Sequence, residues 1–170
     1  MAIELPRVLK NMNLFVDGRG YAGRIDEIQL PKLTLKTEEH RAGGMDLPVE
    51  IDLGMEKLEA ELTIADHDPE VFKLFGLLDN AATQITIRGA IQAQGVAAKP
   101  VIVNLRGGWK ELDAGTWKPG DKSTLKVSVA ASYYKLTIDD EELIEIDAIN
   151  LVRKVGGTDQ MEAIRAAIGL

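Results

Sequence analysis

A few clusters in this 170-residue chain carry residue types that could do chemistry. Gly18-Arg19-Gly20-Tyr21-Ala22-Gly23 matches G-x-G-x-x-G and follows an apolar stretch. Such a run holds a dinucleotide when a helix opens behind it and turns its N-terminal amides toward the pyrophosphate. Here Arg24 to Pro31 follows, strand-like and closed by proline, so the glycines are expected in a hairpin turn. Asp66-His67-Asp68 offers metal-ligand types, but neighbours on an extended chain point to opposite faces, so only the two aspartates could converge. Asp68 is better read as a helix cap, with Pro69 and Glu70 filling the first turn. His40, the other histidine, bears no fixed spacing to His67. Asp139-Asp140-Glu141-Glu142 lacks the glycine and ligand rhythm of a calcium loop and reads as a solvated turn. Ser123, Ser128 and Ser132 fall on strand-like segments rather than a nucleophile elbow, and Tyr133-Tyr134 reads as a packed aromatic pair. No two carboxylates can be placed across a substrate. The chain has no cysteine, hence no thiol nucleophile, disulfide or cysteine-ligated metal. The expectation is a protein that is not an enzyme and uses no cofactor or metal.

The elements that would position any site are mostly strands. Ile85, Ile87, Gly89, Ile91 and Ala93 alternate with Gln84, Thr86, Arg88, Ala90, Gln92 and Gln94; Leu125, Val127, Val129, Ala131 and Tyr133 alternate with Lys126, Ser128, Ala130 and Ser132. A period of two buries one face of a strand and leaves the other polar. These runs are roughly twice the usual strand of about 5–6 residues, which predicts a large sheet with a wide solvated face. The alternation slips at Tyr133-Tyr134 and resumes as Tyr134, Leu136, Ile138, as a β-bulge would cause. Further strands are expected at 11–16, 21–30, 33–37, 49–53, 58–65 and 101–106, and around Ile144, Ile146 and Ala148, with Gly107-Gly108 as a bulge or turn and Lys118 to Asp121 as a turn.

Two short helices complete the reading. One starts at Asp68 with Val71, Phe72, Phe75 and Leu78 as its buried stripe. The other is capped by Thr158, aligns Met161, Ile164 and Ile168, and ends at Gly169. Residues 38–50 carry Gly43, Gly44 and Pro48 with little periodicity and read as a long, mobile loop, of the length that is usually functional or disordered. The fold class is thus mainly β, a sandwich or partial barrel of about 8–9 antiparallel strands with two short helices, in one domain spanning residues 1–170.

Hydrophobic residues make up 45% of the chain, enough for a core, and no apolar run approaches the ~18 residues of a membrane helix. No signal-peptide pattern opens the chain, so a soluble protein is expected. The net charge is −7, from 27 acidic and 20 basic residues, a poor balance for gripping a phosphate backbone. It suits solubility, or a surface that nucleic acid passes without sticking.

Several segments, in order, resemble a known family. Asn11 to Gly18, Leu30 to Thr34, Glu39 to Met45, Ile51 to Gly54, Arg106-Gly107, Lys110 to Asp113 with Gly115, Ser132 to Thr137, Leu143 to Asp147, Asn150, Arg165 and Ile168 to Leu170 are similar to the major tail tube protein of contractile-tailed bacteriophages. The likeness spans nearly the whole chain and is thinnest over 80–105. It implies six-fold rings stacked into the inner tube of a tail, surrounded by a sheath protein. Baseplate and terminator proteins would lie at its ends, and genomic DNA would pass without specific binding. It also implies a place in the virion, with assembly in the host cytoplasm and no membrane partner. An inter-subunit loop at 38–50, with Glu39, His40, Arg41, Ala42, Gly43, Gly44, Met45, Asp46, Leu47 and Pro48 as contacts, is a further implication. The tubes of phage-tail-like bacteriocins and secretion systems share the fold and stand as the alternative. A ligand-carrying β-barrel and a metal hydrolase built on Asp66 and Asp68 are more distant readings.

Overall fold

The computed structural model describes residues 3–78 and 83–170. Asp17 and Gly18 both take the left-handed conformation (φ 47° and 81°), the pair a tight two-residue hairpin turn requires. They join β1 (Val8–Val16) to β2 (Arg19–Gly20), with Val16 opposite Arg19, so the glycine run does sit in a hairpin turn. Asp139 and Asp140 (φ 53° and 63°) make a second such turn between β9 (Leu125–Ile138) and β10 (Glu141–Asp147). With β7 (Thr83–Gln92), β8 (Lys99–Asp113), β11 (Val152–Val155) and β12 (Thr158–Asp159), these strands form an antiparallel sheet. Its order is β12-β11-β10-β9-β8-β7-β1-β2. The long strands are real: β7, β8 and β9 have 10, 15 and 14 residues.

The sheet forks at β9. Its first half, Leu125 to Ala131, pairs on one edge with β6 (Leu58–Ile64), which in turn pairs with β3 (Ile25–Gln29). Its second half pairs on that same edge with β10. One apolar cluster fills the resulting partial barrel, including Leu14, Leu62, Ile64, Ile85, Leu105, Val127 and Val129, each at 1% exposure or less. Trp109 closes the bottom, its indole N–H donating to the Val71 carbonyl at 2.9 Å.

At the fork, Arg106 faces Tyr133 but Gly107 faces Ala131, which leaves Ser132 as an extra residue on β9. The bulge therefore precedes the expected slip, and it sends Tyr133 and Tyr134 to opposite faces. Tyr134 is buried, while Tyr133 lies on the polar face with its hydroxyl donating to Glu145 at 2.8 Å. They are not a packed pair. Of the two readings of Gly107-Gly108 the turn falls and the bulge holds, since the pair lies in continuous β8 where the register shifts between Arg106 and Gly107.

Other expectations need correction. Among the described residues twelve strands are present against the eight or nine expected, the surplus coming from β2, β11 and β12. Helix α1 (Pro69–Phe72) is capped by Asp68 as read, its carboxylate accepting from the Glu70 amide at 3.0 Å. It lasts one turn, however, because the chain then swings over to bridge Phe75 to Trp109. Only Val71 of the anticipated stripe is buried; Phe72, Phe75 and Leu78 are 38%, 52% and 101% exposed. Thr158 does not cap helix α2 (Glu162–Ile168): it pairs with Val155 in β12. Asp159 instead accepts from the Met161 amide at 3.0 Å and binds Arg165 at 2.7 Å. Gly169 (φ 82°) ends α2 as expected. Among the described residues no helix is long and apolar enough to cross a membrane.

The close approach of β8 and β9 leaves no room for a side chain at Gly107. A Cβ there would lie 2.1 Å from the Ala130 carbonyl oxygen, a backbone atom that cannot step aside. Gly108 has nothing within 4 Å of the same position. G107A should lower unfolding free energy by about 1–3 kcal/mol, the usual range for overpacking, and G108A should leave it nearly unchanged. Urea denaturation of the two variants checks the contrast.

Candidate assembly surfaces

Residues 38–50 are not one loop. Leu35 to His40 form β4 and Val49 to Met55 form β5, paired with Glu38 opposite Ile51, Glu39 opposite Glu50 and His40 opposite Val49. Arg41 to Pro48 connect them in a turn where Gly44 has φ 86° and the Met45 amide donates to Ala42 at 3.2 Å. Of the ten expected contact residues, Glu39 and His40 lie on β4 and the other eight make up the tip. The strand expected at 33–37 caught only the first half of β4; neither face of Leu-Lys-Thr-Glu-Glu-His is buried in the subunit, so no alternation marked its run on to His40. The hairpin pairs with no strand of the main sheet among the described residues, and it stands out as an arm. Val49, Ile51 and Leu53 alternate along one of its faces and are 47%, 45% and 51% exposed, an apolar stripe left uncovered among the described residues. On the opposite face Asp52 holds Arg153 of β11 at 2.7 Å and fixes the arm's root. That pair keeps the Asp52 carboxyl below its ordinary value through the hydrogen bond from Arg153.

The second surface is the polar face of the long strands. One row crosses seven strands: Phe15, Thr86, Asn104, Lys135, Glu145, Lys154 and Asp159 stand opposite one another in turn. The basic groups of this face are mostly neutralised. Lys135 binds Glu142 at 2.6 Å, Lys126 reaches Glu61 at 3.6 Å and Lys154 reaches Glu145 at 3.8 Å. The Arg106 guanidinium lies 4.2 Å over the Tyr133 ring and 3.7 Å from Asp147. Burial, then the bond to Glu145, pushes the Tyr133 hydroxyl up to about 12, so it stays protonated and donating. Arg88, between Asn13 and Ile102, makes no ion pair among the described residues.

A groove of about 670 Å³ opens at the fork, where β6 and β10 leave β9 on either side of Ser132. Gly107, Gly108 and Ala131 are among its lining residues, with Leu58, Ile146 and Met161 beside them. It borders the packed interior, sharing Leu58 and Ile146 with it, whereas a ligand-carrying barrel would need that interior hollow. Of the candidate chemistry in the sequence, Asp66 and Asp68 do converge, but on Arg24, whose guanidinium reaches them at 3.1 and 3.5 Å. Of the acid run 139–142, Asp139 pairs with Lys99 and Glu142 with Lys135. Sequence reasoning missed Asp147, which organises the turn after β10. Its carboxylate accepts from the Ile149 and Asn150 amides at 3.1 and 3.0 Å and from the Asn150 side chain at 2.7 Å. An Asx-type signal, Asp followed three residues on by Asn, could have found it.

A partial barrel with a broad polar face and a protruding, half-apolar arm is a structural β subunit whose surfaces ask for neighbours. The chain belongs to the family of phage tail tube protein FII, which it matches over residues 6–169. It is 37% identical to the tail tube protein of Escherichia phage P2, over 99% of this chain and all of that one. It is 33% identical to the major tail tube protein of Serratia phage KSP20, over 99% of each. In fold it is similar to a sheath/tube terminator structure of an extracellular contractile injection system, at a TM-score of 0.64, 14% identity and coverage of 80% of this chain and 99% of that one. The sheath–tube complex of such a system gives 0.63, at 13% identity and 79% and 93% coverage.

Asp147 makes the surface sensitive to acid. Burial alone would raise its carboxyl, but the bonds from Asn150 and Ile149, with Arg106 nearby, outweigh that and hold it below the ordinary value. A group depressed on folding adds stability above its unfolded value, near 4, and that stability is lost as pH falls through the folded value. D147A should cost about 1–3 kcal/mol at neutral pH, with the gap to the unsubstituted protein narrowing as pH falls below about 4. Thermal melts of both proteins over that range check it.

Proposed function

We propose that this chain is the repeating subunit of the inner tube of a contractile phage tail. Copies close into six-fold rings, the rings stack, and genomic DNA leaves through the lumen without specific binding. The observation that carries the reading is full-length similarity to tail tube proteins of two phages. The surfaces supply its physics. A sheet with one wide polar face can continue from subunit to subunit, and closure removes the open edges that invite indiscriminate pairing. A sheath around the tube and baseplate and terminator proteins at its ends are the expected partners, with assembly in the host cytoplasm. A lumen lined by the β7–β8–β9 face would present Thr86, Asn104 and paired lysines, a wall on which phosphate finds few free cations. The arm, with its tip from Arg41 to Pro48 and the stripe Val49, Ile51, Leu53, contacts an adjacent subunit. The fold likeness to contractile injection systems favours a second reading, a tube of a phage-tail-like particle that carries other cargo.

Negative-stain microscopy of the purified protein over a concentration series tests the proposal. Rings of six and stacked tubes are expected; a monodisperse monomer at every concentration, even beside tail initiation proteins, would sink it. Two substitutions sharpen it. Replacing Arg41 to Pro48 by a short Asn-Gly turn should leave the unfolding midpoint nearly unchanged, since the arm lies outside the core, and should abolish tubes. T86K together with N104K should leave tubes intact and slow DNA ejection by about tenfold, more at low salt, as a newly basic wall retains phosphate. Ejection at unchanged speed from such tubes would remove this face from the lumen.

A further inference from the structure

The apolar face of the arm asks for cover that the subunit does not give it. Val49, Ile51 and Leu53 share that face with Glu38 and His40, which stand opposite Ile51 and Val49 across the hairpin. An isolated two-stranded hairpin is marginal in water, and packing against a further element is what secures one. Glu38 makes no ion pair among the described residues, so the stripe carries an unanswered negative charge beside its middle residue.

A complementary surface lies ahead of β1. Ile3 and Leu5 are exposed, and residues 3–7 make no backbone hydrogen bond among the described residues. Pro6 favours an extended Leu5, and an extended stretch turns Ile3, Leu5 and Arg7 to one side. That side is apolar, apolar and basic. Most basic side chains of the subunit already hold a carboxylate; among the described residues the exceptions are Arg7, Lys10, Lys32, Lys36, Arg41 and Arg88. Lys32 leads into the arm, Lys36 and Arg41 belong to it, and Arg88 stands on the polar face, which leaves Arg7 and Lys10 as free cations elsewhere. The two surfaces lie at opposite margins of the sheet. Asp52 ties the arm to Arg153, and Arg153, Ile146, Tyr134, Leu105, Ile85 and Val16 stand opposite one another in turn, so four strands separate the arm's root from β1. Residues 3–7 lie farther still, beyond Val8, which is about 26 Å along β1 from Val16. Two different patches at opposite margins make a head-to-tail contact between copies, the kind that propagates and can close into a ring. It occupies neither edge of the main sheet, so β2, β11 and β12 keep their places.

We propose that residues 3–7 of one copy of this chain lie across the apolar face of the arm of a second copy, with Ile3 and Leu5 covering Ile51 and Leu53 and Arg7 meeting Glu38. The proposal rests on the tube reading and names the surface that covers the arm. Apolar cover supplies the attraction, and the single charge pair fixes which way the stretch lies.

The chain has no cysteine, so introduced ones report contacts without background. L5C/I51C, assembled under reducing conditions and then mildly oxidised, should give a ladder of covalent oligomers beyond the dimer, and dilute subunits should give none. A mixture of the L5C and I51C single variants should give the mixed dimer alone. Dimers from I51C by itself would mean that arm packs on arm and would overturn the proposal, as would L5C/I51C tubes that yield no ladder; either result leaves the tube reading standing. R7E and E38R should each raise the critical concentration about tenfold by light scattering and sedimentation, with circular dichroism showing a folded subunit, and R7E/E38R should bring it back. Failure of the double variant to recover would overturn the pairing of Arg7 with Glu38. No tubes from the unsubstituted protein under any condition would overturn the tube reading and this contact with it.

Discussion

One edge of strand β9 serves two partners, and the rest of the subunit depends on how that is done. Strand β6 takes the first half of the edge and β10 the second, so two arms of sheet diverge from a common rail. A regular strand cannot change partner without a break in its ladder, and Ser132 is that break: an extra residue that re-aims the side chains beyond it. On the other edge Gly107 lets β8 stay paired through the bulge, because its missing side chain leaves room for the Ala130 carbonyl. Inward burial continues across the break, from Leu125, Val127 and Val129 to Tyr134. Each of these apolar groups contributes about 1.5–3 kcal/mol by leaving water, which holds the rail rigid.

That rigidity matters for the outward face. Because β7, β8 and β9 are long and share one register, their polar side chains stand in rows rather than scattered. Within a row an acid can sit beside each base. Lys126 and Lys135 are answered by Glu61 and Glu142 on neighbouring strands, whereas Arg88 has no ion pair among the described residues. Exposed pairs of this kind add little stability. What they change is the field that a passing polyanion meets.

The sequence was most legible where the subunit buries its own side chains. The alternation in β6, β7 and β9 followed from a two-faced burial that β6 shows without exception, buried at Leu58, Ala60, Leu62 and Ile64. Turns set by Asp17-Gly18 and Asp139-Asp140 were equally readable. The misses fall where burial is absent or comes from far away. Strand β4 has two exposed faces, so its run past Thr37 carried no pattern; Phe72 and Phe75 look like core residues but are exposed; β11 is four residues long and read as nothing. The arm's stripe and the exposed aromatics share one cause: they are apolar without a reason inside a single subunit. Of the assembly surface, the segment of the arm was visible in the sequence. Its hairpin geometry and the neutralised polar face were not, because each depends on which residues the fold places opposite one another.

A cryo-electron-microscopy map of assembled tubes at side-chain resolution tests the central claim most directly. The account predicts six subunits per ring, Thr86 and Asn104 facing the axis, and the stripe Val49, Ile51, Leu53 covered by an adjacent subunit. A tube in which the β7–β8–β9 face points outward, with the arm left uncovered in solvent, would contradict it.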